Sequence, residues 1–448
     1  MADRIAAYHA ALSDDERRKV EERIRNGDLL GIWSTNALEL GVDIGTLDAV
    51  VIDGYPGSRM QVQQQAGRAG RGEEDSHVFM VPGSDNLDHY IARNTDELFA
   101  EPESAKINPE NTEILPHHIA QAAVERPVTE QDSNYFGRFQ DGLRSATEAG
   151  MIEQNGGRWI PTDEVKGKPF NLRNIDDRTI YLNTTDGTTL TTLSYGDAIK
   201  DVYPEAIYLH SGKQYRVKEF DTGHDQVTLQ RKRKQLSYYT RPQKDKQIEV
   251  NEELERHKAD RLDVFLADVT VHGNVTGYFE RDKSTNETIA THDYPPGRQL
   301  PFSFRTKAIG FELKGTPKDI DMLGDGLHAA EHAMIGVMPL HVLCDRNHDL
   351  GGLSTELHGY TGSPTIFIHE GHEGGVGLVD EAFDILATIV EEAMETVTGC
   401  DCEEGCDACV YSPTCGNANK QDGVTLLDYL DRKVDHLEAV GETVETEP

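Results

Sequence analysis

Short apolar runs alternate with amphipathic stretches over the first hundred residues. Strand-like runs occupy residues 4–8, 29–34, 49–53 and 77–81. A helical pattern from Ser13 to about Gly27 begins with a capping box in which Ser13 and Glu16 exchange hydrogen bonds. Parallel strands joined by helices carry ligands at the C-terminal edge of their sheet. The pattern predicts a partial α/β lobe over residues 1–100, with a further helix opened by residues 64–71.

The hydrophobic pattern changes several times after residue 100. Residues 101–112 are polar and contain prolines, which predicts a linker. Residues 113–170 show helical patterns at 114–124 and 135–150, followed by a hairpin signal at Asn155-Gly156-Gly157. We predict a winged-helix-like domain there; the alternative is a purely structural helical subdomain. Residues 171–320 predict a mainly β region, residues 321–440 a mixed α/β domain ending in a helix over 423–439, and residues 441–448 an acidic tail.

Two polar blocks follow the strand-like runs of the first lobe. The first spans Thr35-Asn36-Ala37-Leu38-Glu39-Leu40-Gly41-Val42-Asp43-Ile44, and the second is Gln64-Gln65-Ala66-Gly67-Arg68-Ala69-Gly70-Arg71. Arginine stays charged, and its planar guanidinium can stabilise charge that develops during phosphoryl transfer. Glycine lets backbone approach a ligand closely. The alternative interpretation, a glycine- and arginine-rich surface loop, would explain the second block but not the first.

These blocks resemble motifs V and VI of the superfamily 2 (DEAD/DEAH-box) helicases. The chain as a whole resembles the C-terminal part of the MrfA/YprA group of DNA-repair helicases, which act 3′ to 5′. The resemblance implies that Arg68 and Arg71 contact the γ-phosphate of ATP, while Gln64 couples nucleotide state to the grip on DNA. It further implies nucleotide or ribose contacts for Gly41 and Asp43, and DNA phosphate contacts for Thr35 and Asn36.

The nucleotide site is incomplete in this sequence. No Gly-x-x-x-x-Gly-Lys-Ser/Thr segment occurs, although such a loop holds the phosphates of ATP. The Asp380-Glu381-Ala382-Phe383 segment resembles a DEAD box, but it follows the arginine motif and begins a helix, so we interpret it as coincidence. ATP and Mg²⁺ are expected only with a first helicase lobe from an upstream or adjacent polypeptide. The alternative is a non-catalytic DNA-binding zinc adaptor with a vestigial lobe.

Five of the six cysteines lie close together near the C-terminus. Cys400, Cys402, Cys406 and Cys409 fall within ten residues, and the sequence has no secretion signal, which favours a metal site over disulfides. Four thiolates suit tetrahedral, structural zinc, as the resemblance also implies. An iron–sulfur cluster is the rival, and Cys415 is a spare or substitute ligand. Cys344 stands alone and is expected in the core.

The chain is strongly acidic, with a formal net charge of −35. Such a charge argues against a polyanionic partner, unless it reflects the dispersed carboxylates of a halophilic, haloarchaeal proteome, the interpretation we favour. A local exception is the basic run Arg231-Lys232-Arg233-Lys234, followed by Tyr238 and Tyr239. Cations with interleaved aromatic rings suit single-stranded or forked DNA. A solvated hairpin face is the alternative.

Two pairs of histidines have spacings that metal sites use. His328 and His332 lie four residues apart on one predicted helix face, and we interpret them as structural. His369 and His372 flank a glycine, so they do not form the helical His-Glu-x-x-His of a metalloprotease. A mean hydropathy of −0.57 and the absence of a long apolar stretch indicate a water-soluble, cytoplasmic protein without a membrane segment.

Overall fold

A computed structural model describes residues 2–9, 12, 14–39, 47–70, 75–103, 105–166, 178–315, 317, 320–346, 348–410 and 419–440. The capping residue Ser13 and the acidic tail 441–448 lie outside these ranges. Among the described helices, none is both long and apolar enough to cross a bilayer.

In the part of the N-terminal lobe that the structure describes, two separate pairs of parallel strands are accompanied by three α-helices. Its elements are β1 (Ile5–Tyr8), α1 (Asp14–Arg25), β2 (Gly31–Ser34), β3 (Ala49–Asp53), α2 (Arg59–Ala66), β4 (His77–Val81) and α3 (Asn86–Arg93). β1 pairs with β2, and β3 pairs with β4. Side chains on these strands are unusually exposed for apolar residues, including Trp33, Val51 and Phe79. The described lobe therefore leaves apolar strand faces uncovered.

The helix predicted to begin with the arginine motif is placed differently in the structure. α2 begins at Arg59, where the Ser58 hydroxyl accepts a hydrogen bond from the Gln61 amide, and it ends at Ala66. Gln64 therefore lies in its last turn, and Arg68 follows its C-terminus. The prediction that the motif opens the helix was wrong because the N-terminal signal is the serine cap, which lies six residues before the motif.

The winged-helix prediction is confirmed. α4 (Leu115–Glu125) and α5 (Phe139–Glu148) pack together with the hairpin of β5 (Ile152–Asn155) and β6 (Arg158–Pro161). Both turn residues, Gly156 and Gly157, have positive φ, as a two-residue hairpin turn of this hand requires. Ile119 and Ala146 are fully buried in the small core that joins the two helices.

The mainly β region contains a five-stranded sheet followed by very long strands. The small sheet is built from β7 (Thr179–Thr184), β8 (Thr189–Ser194), β9 (Ile207–His210), β10 (Lys213–Asp221) and β11 (Gln226–Arg231), in the order β8-β7-β11-β10-β9. The helix α6 (Tyr195–Asp201) contributes Ala198 and Ile199 to the core beneath it.

A second sheet crosses the boundary predicted at residues 320–321. Its strands are β12 (Tyr238–Ala259), β13 (Leu262–Asp282), β14 (Thr288–Asp293), β15 (Leu300–Leu313), β16 (Leu350–Thr355), β17 (Thr365–Glu370) and β18 (Glu438–Ala439). The order is β16-β17-β15-β13-β12-β18, with β14 paired to β13. The mainly β region and the C-terminal domain therefore share one sheet.

Four helices complete the C-terminal domain: α7 (Leu323–Val337), α8 (Leu378–Asp384), α9 (Leu386–Thr398) and α10 (Lys420–Val434). The helix predicted over 423–439 is thus shorter at its C-terminal end, where residues 438–439 form β18 and pair with His257 and Lys258. Cys344 is buried in this domain's core, as predicted, and burial raises the pKa of its thiol. Overall, the mixed α/β fold class is confirmed.

The predicted linker is fixed to the C-terminal domain by Asn111. Its Nδ2 donates to the carbonyls of Glu373 (2.8 Å) and Gly375 (2.9 Å), and its Oδ1 accepts from the Glu113 amide at 2.9 Å. Gly374 between them has φ of +71°, and a Cβ there would lie 1.9 Å from Asn111 Oδ1. One buried amide therefore orients the winged-helix domain at its first helix.

We expect Asn111→Ala to lower the free energy of unfolding by ~1–3 kcal/mol, because the part-buried Glu373 carbonyl and the buried Gly375 carbonyl lose their hydrogen bonds from Asn111. Urea denaturation followed by circular dichroism measures this change. Asn134→Ala is the control: Asn134 is exposed and donates only to the nearby Gln131 carbonyl. Equal denaturation midpoints for the two variants would contradict the role given to Asn111.

Candidate functional sites: the arginine motif and the four-cysteine cluster

The first polar block lies directly after β2. Thr35 and Asn36 are exposed at the C-terminal end of this strand, where a short 3₁₀ turn begins. Three residues later, Glu39 is buried at 8% exposure. The segment therefore offers two polar side chains to solvent and turns one carboxylate inward.

Glu39 connects this segment to the arginine motif. Its carboxylate accepts a 2.7 Å hydrogen bond from Gln65 Nε2, and its backbone carbonyl accepts from the Arg68 guanidinium. A parallel bridge between Leu47 and Ala69 adds a backbone contact between the same regions. The arginine motif is thus in direct contact with the block after β2.

Arg59, at the first position of α2, connects the same helix to the C-terminal domain. Its side chain donates to the carbonyls of Glu97 (Nε, 2.8 Å) and Leu340 (Nη1, 3.1 Å). Its backbone amide donates to the Glu103 carboxylate at 2.7 Å, and that side chain is fully buried. Because the buried Arg59 guanidinium donates to several acceptors, its position is well defined.

The helix α3 strengthens this connection through apolar packing. Leu87 and Ile91 belong to the same core as α7, α9 and α10, and Ile91 is fully buried. Tyr90 adds a hydrogen bond of 3.4 Å to Glu392 on α9. The lobe that carries the arginine motif is therefore anchored in the C-terminal core.

Three of the nucleotide-contact residues expected from the sequence, Gly41, Asp43 and Arg71, lie outside the described residues. Gln64 is half-buried in the last turn of α2, on the same helix as Gln65. The structure thus brings Gln64 and Arg68 near the first block, while their contacts with a nucleotide remain predictions.

The four-cysteine cluster has the dimensions of a tetrahedral metal site. The Sγ–Sγ distances are 3.5 Å for Cys400–Cys406 and for Cys402–Cys409, 3.6 Å for Cys400–Cys402 and 3.9 Å for Cys406–Cys409. Zinc–sulfur bonds of ~2.3 Å place the sulfurs of a tetrahedron ~3.8 Å apart. All of these separations are too long for a disulfide, so the four residues fit a single ion.

The backbone around the cluster is organised by neighbouring polar groups. The Cys406 amide points at Cys409 Sγ (3.3 Å), as amides do toward metal-bound thiolates. Lys420 Nζ, at the start of α10, donates to the carbonyls of Cys400 (2.6 Å) and Cys402 (2.9 Å). Four protein ligands leave no open position, so the site is structural. Cys415 lies outside the described residues.

The basic run occupies the end of β11 and the loop before β12. Arg231, Arg233 and Lys234 are exposed, and Lys232 is partly so. Within the described residues, no carboxylate lies at ion-pair distance from any of these four cations. Tyr238 and Tyr239 open β12 and are half-buried, with the Tyr239 hydroxyl bonded to Asn286. The four cations are therefore available to a polyanion. The rings of Tyr238 and Tyr239 are only partly accessible to one.

The histidines near residue 370 serve separate structural purposes. His369 is buried on β17, where burial lowers the pKa of its imidazole to about 4. His372 contacts Asp349 at 3.0 Å, and this hydrogen bond raises the pKa of His372. The Glu370 carboxylate accepts backbone amides from Gly377 and Val379 at the start of α8. Each group is engaged separately, in keeping with the rejection of a protease site.

Three family models match successive parts of the chain. The helicase conserved C-terminal domain matches residues 2–73, the winged helix domain of the ATP-dependent helicase HRQ1 matches residues 107–175, and the MrfA Zn-binding domain matches residues 330–410. The last match contains all four clustered cysteines. The chain belongs to the MrfA/YprA-like helicases and corresponds to their C-terminal part. The resemblance found in the sequence is confirmed, and the cysteine cluster is a structural zinc site.

Similar proteins support the same assignment over nearly the whole chain. The uncharacterized ATP-dependent helicase YprA of Bacillus subtilis is 33% identical over 95% of this chain and 57% of its own length. HRQ1 of Saccharomyces cerevisiae is 27% identical over 92% of this chain and 40% of its own length. The crystal structure of MrfA bound to DNA superposes with a TM-score of 0.58 at 32% identity, covering 95% of this chain and 57% of that one. The chain thus spans about half the length of these relatives.

Several residues of the site were not singled out from the sequence. Glu39 and Gln65 lie inside the quoted motifs, but only the structure pairs them. Arg59 and Glu103 lie outside both motifs and are far apart in sequence, so no local spacing indicates their contact. The predicted helix start at residue 64 also left Arg59 outside the helix, so its position at the first turn of α2 was not foreseen.

We expect Cys406→Ser to abolish metal binding at the cysteine cluster, because three thiolates no longer close the tetrahedron. With cobalt substituted for zinc, the sulfur-to-metal charge-transfer absorption should be lost. Cys344→Ser is the matched control, since it removes a buried thiol of the same domain that is not a ligand. A full charge-transfer band in Cys406→Ser would rule out the ligand set.

Proposed function

We propose that this chain works as the C-terminal part of an ATP-dependent DNA helicase with 3′-to-5′ polarity and a role in DNA repair. The proposal rests chiefly on the contact of Glu39 with Gln65 and Arg68, which joins the two helicase motif segments. The family models and the MrfA structures bound to DNA support the proposal. The chain would supply arginines, DNA-binding domains and a zinc-stabilised C-terminal domain.

The described residues do not form an ATP site of their own. The sequence has no phosphate-binding glycine loop with its lysine, so ATP and Mg²⁺ would be held by a first lobe from an upstream or adjacent polypeptide. Arg68 and Arg71 would then stabilise negative charge on the γ-phosphate. Gly41 and Asp43 would lie beside the nucleotide.

Nucleotide-dependent movement would reach the rest of the protein by two routes. Gln64, Gln65 and Arg68 lie at one end of α2, next to the segment with Thr35 and Asn36, which would touch DNA phosphates. Arg59, at the other end, is bonded to the Leu340 carbonyl in the C-terminal domain. A rigid helix with contacts at both ends can couple the two sites.

The first test compares ATP hydrolysis by the chain alone and with its missing lobe. The DNA that precedes the codon for Met1, in the same or an adjacent reading frame, should encode a Gly-x-x-x-x-Gly-Lys-Thr segment and a DEAH-type box. We expect no DNA-stimulated ATPase from the chain alone, and DNA-stimulated turnover after co-expression with the lobe encoded there. Arg68→Ala or Arg71→Ala should then lower kcat by ~10³-fold, the contribution of an arginine finger.

Arg17→Ala is the control for this test, because Arg17 lies on α1 of the same lobe and forms a surface ion pair with Asp14. It should leave kcat unchanged. DNA-stimulated turnover by the chain alone that Arg71→Ala abolishes would refute the two-lobe account. If no first lobe is encoded nearby, the adaptor with a vestigial lobe becomes the better description.

We also propose that the basic run binds the backbone of single-stranded or forked DNA. Arg231, Lys232, Arg233 and Lys234 form a cationic run at the end of β11 and in the loop after it, with no ion-pair partner among the described residues, in a chain of net charge −35. Tyr238 and Tyr239 would stack on those DNA bases that reach their partly buried rings.

Replacing Arg231, Lys232, Arg233 and Lys234 together with glutamine should weaken single-strand binding. The slope of log binding constant against log salt should decrease by about 3, at ~0.7 per lost phosphate contact. Fluorescence anisotropy with a labelled oligonucleotide measures both quantities. The charge-matched control replaces Arg17, Arg18, Lys19 and Arg23 of α1 with glutamine. If both variants lose affinity for the oligonucleotide equally, the effect comes from net charge alone and the basic run is not the binding site.

A further inference from the structure

His328, Glu331 and His332 converge on one side of α7. Their candidate ligand atoms, one from each side chain, all lie within 4.8 Å of one another. The two imidazole rings are 4.5 Å apart between centroids and inclined at 70°. His328 Nδ1 lies 3.3 Å from Glu331 Oε2. Positions i, i+3 and i+4 share a helix face, so this convergence follows from the sequence order His-Ala-Ala-Glu-His.

The strand β16 closes the other side of this cluster. Ser354 Oγ lies 3.2 Å from His328 Nδ1. A Cβ at Gly352 would lie only 2.2 Å from Glu331 Oε1, so the carboxylate occupies space that any other residue would fill. The cluster is thus enclosed by the strand on one side and open to solvent at His328, whose side chain is 28% exposed.

The buried carboxylate requires a compensating cation. Glu331 is 4% exposed, and an uncompensated charge at that depth is costly. A metal ion held by this carboxylate and the two imidazoles would supply that positive charge.

We propose that His328, Glu331 and His332 form a second metal site, distinct from the four-cysteine cluster and suited to a zinc-class divalent transition metal. Two imidazoles and one carboxylate are a common ligand set for zinc with a fourth position open to water. The order His-x-x-Glu-His on a helix occurs in zinc enzymes, where both histidines bind the ion. Rotation of the half-buried imidazoles would shorten the ligand separations to those of a bound ion. The site would fasten α7 to β16 and exchange its metal more readily than the closed thiolate site.

The test is a cobalt titration of the full chain with the four-cysteine cluster filled. Excess Mg²⁺ is present to occupy carboxylate-only sites, which prefer hard cations. We expect one further equivalent of Co²⁺ per chain, with weak visible bands and no added sulfur-to-metal charge transfer. His332→Gln should weaken this step by at least ~100-fold, since even the loss of an outer-shell partner costs 10–100-fold.

His341→Gln is the matched control. His341 lies in the same domain, is 25% exposed and contacts one carboxylate, Glu392, at 2.7 Å. It should keep the second equivalent, and all variants should keep the thiolate charge-transfer band. Wild-type protein that takes up no further Co²⁺ overturns the proposal, as does a second equivalent that His332→Gln and His328→Gln both retain. The wild-type titration keeps the test decisive if a variant fails to fold.

Discussion

The arrangement of the domains depends on the buried guanidinium of Arg59. It donates to the carbonyls of Glu97 and Leu340 and lies 3.8 Å from the Glu103 carboxylate, so its partners come from the lobe, the C-terminal domain and the linker. A buried charge without its partners costs far more than a paired one contributes. The lobe that carries the arginine motif therefore has one favourable position against the C-terminal core, which the packing of Leu87 and Ile91 reinforces.

Because of this constraint, the helix that leads into the arginine motif, α2, is held at both of its ends. At one end of α2, Gln65 and Arg68 hold Glu39 and the polar block after β2; at the other end, Arg59 holds the C-terminal domain. The linker adds a third fixed point, because Asn111 bonds to the glycine turn before α8. In a helicase, this arrangement would carry a change at the nucleotide to the DNA-binding domains through short, buried polar contacts.

The two clusters of metal-binding side chains illustrate different ways of building a site. The four cysteines lie within ten residues and need only local turns to converge, with Lys420 holding the backbone. The His328, Glu331 and His332 group depends on a helix face and on Gly352 of a distant strand. The spacing of the cysteines alone predicts the first site. The second site is inferred from the structure, which shows the Glu331 carboxylate buried against the sheet.

The sequence by itself determined the features encoded by short-range patterns: the strands of the lobe, the winged-helix hairpin at Gly156-Gly157, the cysteine cluster and the family. It misplaced the start of the motif helix and the end of the last helix, because a serine cap and a strand pairing outweighed local periodicity there. Only the tertiary structure decided that strands from residues 238–370 and 438–439 share one sheet, that Glu39 joins the two motif segments, and that Arg59 connects the lobe to the C-terminal domain. Such contacts join residues far apart in the chain, and their energy comes from burial, which spacing alone does not reveal.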